Sequence, residues 1–365
     1  MISMKKKIVF VDHTLGAGGA EKVTTTLIRA LDCEKFEIHL VIIDKLGEFG
    51  HYIPKTVKIH ELGVKNTRKA LFPFRKEMKK INPDVVYTSL SRTTILSFLA
   101  RIGLTYRIIA RYPTMPSIEK KENRLKGWRY YLMRLFFRKV DTVIAQTEEM
   151  AIELTRFYKI KKDRLITVFN PVDERMIDES LINADNPFNK DKTNILAVGT
   201  IYPVKGFDVL IRAFKKVVDE DKSYMLHIVG ADFENNLSGL IKLVEELNLS
   251  KNVVFHGYQQ NPYTYLNYCD LFVLSSRREG LPNVVLEAQY LCKPVVATNC
   301  VPVISRLITE GETGYVVEVE NVDQMAVAIK NFRKLKPAKI RRESISKFIE
   351  IFTNEIELHE KMLKI

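Results

Sequence analysis

Short apolar runs rich in Val and Ile alternate with longer stretches whose apolar residues recur every three or four positions, and the pattern occurs twice. In the first half the runs at 8–11, 38–43, 57–60, 85–88, 107–110, 142–145 and 165–168 read as strands, with helical periodicity at 21–31, 69–80 and 93–101 between them. In the second half the strands read as 194–198, 225–229, 253–256, 271–274, 295–297 and 315–317. A strand covered on both faces is apolar throughout, whereas one with a wet face alternates, so parallel sheets flanked by helices are expected. The polar, turn-rich stretch 183–192 separates the two halves. The expected organisation is an α/β chain of two Rossmann-like domains, 1–172 and 193–343, joined by a linker over 173–192 and facing a cleft. A last helical pattern, 344–365, carries apolar residues at Phe348, Ile349, Phe352, Ile356 and Leu358; it caps the second domain or crosses back onto the first. No repeat shows at the level of residues.

Composition narrows the class. With 365 residues the chain exceeds what one core fills, and 46% hydrophobic with 28% charged residues is ordinary for a globular protein. Cys33, Cys269, Cys292 and Cys300 lack C-x-x-C spacing or paired histidines, which argues for reduced thiols and against a zinc site. The apolar run after Lys5-Lys-Lys is broken by Asp12 and His13, too early for a signal peptide, and no apolar stretch approaches the roughly 18 residues of a spanning helix. A cytoplasmic protein, at most peripheral on the inner face of the membrane, is expected. The net charge of +13 is concentrated, with eleven Lys or Arg against two acids over 101–139. Within it, 124–139 reads as a basic amphipathic helix holding the only Trp, suited either to an anionic membrane surface or to a plain solvated face. No nucleic-acid-binding module is present.

The chemistry-bearing segment is Ser275-Ser-Arg-Arg-Glu-Gly-Leu-Pro-Asn-Val-Val-Leu-Glu-Ala288. A strand ends, a Gly/Pro turn follows and a helix begins near Pro282, an arrangement that places amides at an anion-binding helix terminus beside a strand end. Glu279 and Glu287, eight residues apart, flank that start and reach one site at different depths, unless they are a surface acid and a helix acid without common purpose. A second segment, Val198-Gly-Thr-Ile-Tyr-Pro-Val-Lys-Gly-Phe-Asp208, is a strand, turn and helix start with Lys205 where a phosphate would sit. A third, Leu15-Gly-Ala-Gly-Gly-Ala-Glu21, is a glycine-rich turn after the first strand; Glu21 replaces the third glycine of a dinucleotide fingerprint.

The Glu-x7-Glu spacing around Gly-Leu-Pro and Glu-Ala resembles the signature of retaining GT-B glycosyltransferases of the group 1, or family 4, type. Asn170-Pro-Val-Asp173, Val229-Gly-Ala231, Phe255-His-Gly-Tyr258 and Gly311-Glu-Thr-Gly314 resemble further elements of that family along nearly the whole chain. The resemblance implies that Glu279 contacts the donor sugar near its anomeric centre, Glu287 holds the ribose and the amides of Gly280 and Leu281 meet the diphosphate. Pro282 and Asn283 complete that turn. Gly230 and Tyr258 border the base, Gly18 and Gly19 approach the donor, and Lys205 neutralises the leaving diphosphate. In the family's Gly-Arg-x4-Lys-Gly element the arginine is replaced here by Thr200, so Lys205 works alone or a cation such as Arg277 or Arg278 compensates. The family's first-domain histidine is missing after the strands at 85–88 and 107–110; His13 and Arg111 are the candidates in its place. By the same resemblance the terminal helix returns to the first domain.

The implied activity is metal-independent transfer of a sugar, with retention, from a UDP- or GDP-linked donor, without a further cofactor. Preorganised cations and amides would stabilise the departing diphosphate. Joined to the basic segment 124–139, the resemblance points to a glycan or polyprenyl-diphosphate-linked acceptor in cell-surface polysaccharide, lipopolysaccharide or glycolipid assembly. The competing readings are a nucleotide-sugar epimerase or phosphorylase of the same fold, or a non-catalytic protein that binds nucleotide-sugar or membrane.

Overall fold

The computed structural model describes residues 5–16, 18–121 and 127–336, which fall into two compact units dividing after Asp173. In the first, β1 (Lys6–Asp12), β2 (Phe36–Ile42), β3 (Lys58–Glu61), β4 (Val85–Thr88), β5 (Arg107–Arg111), β6 (Thr142–Ala145) and β7 (Leu165–Thr167) form one sheet. Its order is β3-β2-β1-β4-β5-β6-β7. In the second, β8 (Thr193–Val198), β9 (Tyr224–Val229), β10 (Val253–Gly257), β11 (Leu271–Leu274), β12 (Val295–Thr298) and β13 (Gly314–Val317) are ordered β10-β9-β8-β11-β12-β13. Every pairing is parallel. Each is a Rossmann-like unit, a parallel sheet with connecting helices.

The apolar runs owe their continuity to burial on both sheet faces. Along β1, Val9 and Val11 enter a core with Phe74, Met78 and Phe137, while Ile8 and Phe10 enter another with Val23, Leu27 and Ile28 of the helix Gly19–Ala30. In the second unit the helix Phe207–Glu220 buries Phe207, Leu210, Ile211, Phe214, Val217 and Val218, the spacing of a single stripe. The helix Glu148–Tyr158 begins where Thr147 accepts from the Met150 N–H at 3.2 Å and ends at Lys159 in the left-handed region.

Much of the segment 173–192 is folded onto the second unit. It opens with the helix Glu174–Leu181, which buries Met176 and Ile177. Asn261 Nδ2 donates to the Ser180 carbonyl at 2.6 Å and the Tyr268 hydroxyl to that of Ala184 at 2.9 Å. The four charges Glu174, Arg175, Asp178 and Glu179 hide this helix among linker-like residues. The segment 344–365 lies outside the described residues.

The two units share a device. On β2 and β3, His39 Nδ1 and His60 Nε2 are 2.9 Å apart; on the corresponding strands β9 and β10, His227 Nδ1 and His256 Nε2 are 3.0 Å apart. His227 Nε2 is also 3.1 Å from Asn194 Oδ1, and the Phe188 ring lies tilted against the imidazole, centroids 4.3 Å apart. Burial, then the second imidazole, pushes His227 down to about 4. Below the ordinary histidine range the unfolded chain takes up a proton that the folded chain resists, so stability falls as pH drops from 6.5 towards 4. The expected loss from His227 is up to about 3 kcal/mol. Urea unfolding at pH 7 and 4.5, with His227→Leu as the reference in which this decline is reduced, measures it.

Candidate active site

In an open parallel sheet a ligand crevice forms where the strand order reverses, because the loops leaving the two strands there go to opposite faces. In the second unit that point lies between β8 and β11. The loop leaving β8 runs through Thr200 to a 3-10 turn, Pro203–Lys205, and then Gly206 at φ +64° opens the helix Phe207–Glu220. The loop leaving β11 runs from Ser275 to Pro282, where the helix Asn283–Tyr290 starts. Pro282 is thus the residue before the helix rather than its first residue.

The two loops are fastened together. A Cβ at position 206 would stand 2.1 Å from the Ser275 carbonyl oxygen, so only glycine permits the approach. Ser275 Oγ donates to the Lys205 carbonyl at 2.8 Å, and the Arg277 N–H donates to that of Val204 at 2.7 Å. Across this seam Lys205 Nζ meets Glu279 Oε1 at 2.7 Å, and Ser276 Oγ donates to the same oxygen at 2.6 Å. Both charged side chains are largely covered, at 25% and 14% exposure. Thr298 Oγ1 donates to the Ser276 carbonyl at 2.5 Å. Cys300 lies near Glu279 and Lys205; burial, then the charge of Glu279, pushes its thiol up to about 12.

Arg277 is committed elsewhere. It donates to Asp208 at 2.8 and 2.7 Å, to Glu320 and to the Pro203 carbonyl. Burial alone would raise Asp208, but the hydrogen bonds and charge of Arg277 hold it below its usual range. Arg277 therefore braces the Lys205 turn from behind instead of standing in for the arginine absent at Thr200. In the sequence Arg277 is a candidate to compensate because Asp208 and Glu320 are remote from it along the chain.

The remaining predicted residues of this unit lie on neighbouring strand ends. Gly230 follows β9, and a Cβ there would stand 1.9 Å from the Gly199 carbonyl oxygen; its N–H donates to the Gly257 carbonyl at 2.9 Å. Tyr258 follows β10 and is exposed. Leu281 and Glu287 are buried, while Gly280 and Asn283 are half-exposed.

In the first unit the strand order reverses between β1 and β4. His13 follows β1 half-buried, with Nδ1 3.3 Å from Thr67 Oγ1; burial, then Arg92, lowers its pKa. Gly18 and Gly19 are exposed at the start of the helix Gly19–Ala30. Arg111 is 1% exposed and donates to Asn170 Oδ1. Asp12 and Arg92 are not marked as site residues by the sequence, and Glu21 is marked there only as the residue in place of a third glycine. Asp12 was visible only as the acid that interrupts the first apolar run.

Among the described residues no group of three or more His, Cys, Asp or Glu is placed to hold a metal ion, and no helix is long and apolar enough to cross a membrane. Residues 178–349 match the family model described as glycosyl transferases group 1, and residues 17–175 match that of glycosyltransferase family 4. The chain belongs to this group 1, family 4 class of GT-B glycosyltransferases. It is 28% identical, over 93% of its length and 92% of the other, to the N-acetylgalactosamine-N,N'-diacetylbacillosaminyl-diphospho-undecaprenol 4-alpha-N-acetylgalactosaminyltransferase of Campylobacter jejuni. It is 26% identical to the capsular polysaccharide biosynthesis glycosyltransferase CapM of Staphylococcus aureus, over 86% of this chain and 84% of that one. In fold it resembles HepE of Anabaena, solved in complex with UDP and glucose, at a TM-score of 0.78 and 16% identity, over 99% of this chain and 100% of that one.

The seam makes a prediction about backbone. Gly206→Ala should lower stability by about 2–4 kcal/mol, since left-handed backbone and a carbonyl collision add. Gly239→Ala, inside the helix Leu237–Glu246 with nothing within 4 Å of the new Cβ, should raise it by about 0.5–1 kcal/mol. Thermal unfolding of the two variants beside the parent separates the cases.

Proposed function

We propose that this glycosyltransferase moves a sugar, with retention and without a metal, from a UDP- or GDP-linked donor to a glycan or polyprenyl-diphosphate-linked acceptor in cell-surface polysaccharide or glycolipid assembly. The observation that carries the donor side is the Lys205–Glu279 pair across the switch point of the second unit, 2.7 Å apart and backed by Ser276. As the glycosidic bond breaks, negative charge grows on the diphosphate. A lysine ammonium and the amides at the start of the helix Asn283–Tyr290 are suited to receive it. Glu279 would then exchange its lysine partner for hydroxyls of the donor sugar. Glu287, Gly280, Leu281, Pro282, Asn283, Gly230, Tyr258, Gly18, Gly19 and Thr200 are the further donor contacts of this reading. His13, its imidazole favoured in the neutral form, is its first-domain histidine. Arg111, enclosed as it is, is assigned no contact with substrate.

The acceptor class is supported by relatives. The Campylobacter protein is named for a diphospho-undecaprenol substrate and the Staphylococcus protein for capsular polysaccharide. A peripheral position at the inner face of a membrane, held by the basic segment 124–139, belongs to the same proposal. What supports it is the helix Trp128–Phe137, which leaves Tyr131 and Leu135 exposed beside Arg138 and Lys139; residues 124–126 lie outside the described ones.

A panel of UDP- and GDP-sugars, incubated with the protein and a lipid extract and read by released nucleotide, tests this. Lys205→Ala and Glu279→Ala should each lower turnover by about 10²–10³, EDTA should leave it unchanged, and NMR of the product should show the anomeric configuration of the donor. Equal turnover in parent and both variants would refute the donor assignment.

A further inference from the structure

Two acids at the glycine turn of the first unit play no part in the donor contacts above. Asp12 closes β1 with its side chain fully buried; Oδ1 accepts from the His13 N–H at 2.6 Å, while Oδ2 is buried without a hydrogen-bond partner among the described residues. A buried carboxylate oxygen left bare is costly unless the group carries a proton. Glu21 stands at the third position of the helix Gly19–Ala30 and folds back over the turn. Its Oε2 lies 2.3 Å from where a Cβ would be at Gly18, so the acid fills the space that the glycine leaves.

The charged groups around this pair are few. Among the described residues Arg92 acts on both acids; His13 donates its N–H to Asp12, and Asp44 acts in turn on His13. Burial, then the charge of Glu21, pushes Asp12 up to about 7, and burial raises Glu21 as well. Two covered carboxyls with one opposing cation do not ionise together cheaply.

We propose that Asp12 carries the proton that its bare, buried oxygen calls for while Glu21 is ionised, and that Asp12 is thereby a positioning residue that sets the negative charge an incoming phosphate meets at Gly18 and Gly19. This rests on the reading of those glycines as donor contacts. With the proton in place the pair carries one charge, which Arg92 opposes. Without it a second charge stands at a helix N-terminus that otherwise attracts anions. No bond is made or broken; the proton exchanges with solvent.

The experiment uses the full-length protein and Asp12→Asn, a neutral isostere. Binding of UDP and of GDP is measured by calorimetry from pH 6 to 8.5. The parent should lose about tenfold more affinity over that range than Asp12→Asn does; the nucleotide's own titration is common to both and cancels. Parallel slopes overturn the proposal. Thermal unfolding supplies a second readout. A carboxyl raised in the folded state binds a proton that the unfolded chain releases, so its contribution to stability is lost as pH rises from about 4 to about 7. Asp12→Asn should therefore gain in melting temperature relative to the parent between pH 5 and 8.5, and a constant difference sinks the proton on Asp12. If neither nucleotide binds at any pH while the melting difference changes as stated, the donor reading fails and the positioning role with it, but the acid pair stands.

Discussion

A side chain at position 206 would collide with the carbonyl of Ser275, and most of the second unit's chemistry depends on the absence of one. Because these two backbones touch, the loop leaving β8 and the loop leaving β11 become one surface at the place where the sheet reverses its order. Lys205 and Glu279, 74 residues apart, are paired only because of that contact. Arg277 holds the same seam from the other side through Asp208, Glu320 and the Pro203 carbonyl. The ion pair in front and the brace behind fix the ammonium without burying it completely, which is what the proposed contact with a phosphate would require.

The first unit solves the same topological problem with opposite charge. Its reversal point gathers Asp12 and Glu21 where the second unit gathers a lysine. Burial prevails at these acids; at Asp208 burial is again the largest single influence, but the hydrogen bonds and charge of Arg277 together outweigh it, and at Arg277 the hydrogen bonds to Asp208 and Glu320 come first. In the former the neutral form is favoured; in the latter, the ionised one.

The fold was legible because parallel strands buried on both faces leave unbroken apolar runs; all thirteen runs read as strands correspond to β1–β13 within a residue or two. Three features were not legible, each for a physical reason. The helix Glu174–Leu181 packs through only Met176 and Ile177, so its pattern is lost among charges. Arg277 looks like a spare cation in sequence because its partners arrive from other loops. The paired histidines of β2–β3 and β9–β10 reveal a structural repeat that no stretch of residues repeats, since they sit at matching places in two sheets whose other residues differ. The segment around Glu279 stands out in the sequence because two carboxylates flank a Gly-Leu-Pro turn at a strand end, and the fold brings Glu279 to Lys205 where the strand order reverses.

The preformed pair between Lys205 and Glu279 has a consequence for the end of a reaction cycle. On the proposed reading, a donor engages both groups, its phosphate taking the lysine and its hydroxyls the glutamate. Once the sugar has left, Glu279 loses its partners and only the nucleoside diphosphate still claims the ammonium. The carboxylate, tethered by Ser276 within hydrogen-bond distance, then competes for Lys205 as an intramolecular ligand that never dilutes. On that reading the contact between Lys205 and Glu279 would also act as an ejector for the spent nucleotide, its departure being a return to the ion pair.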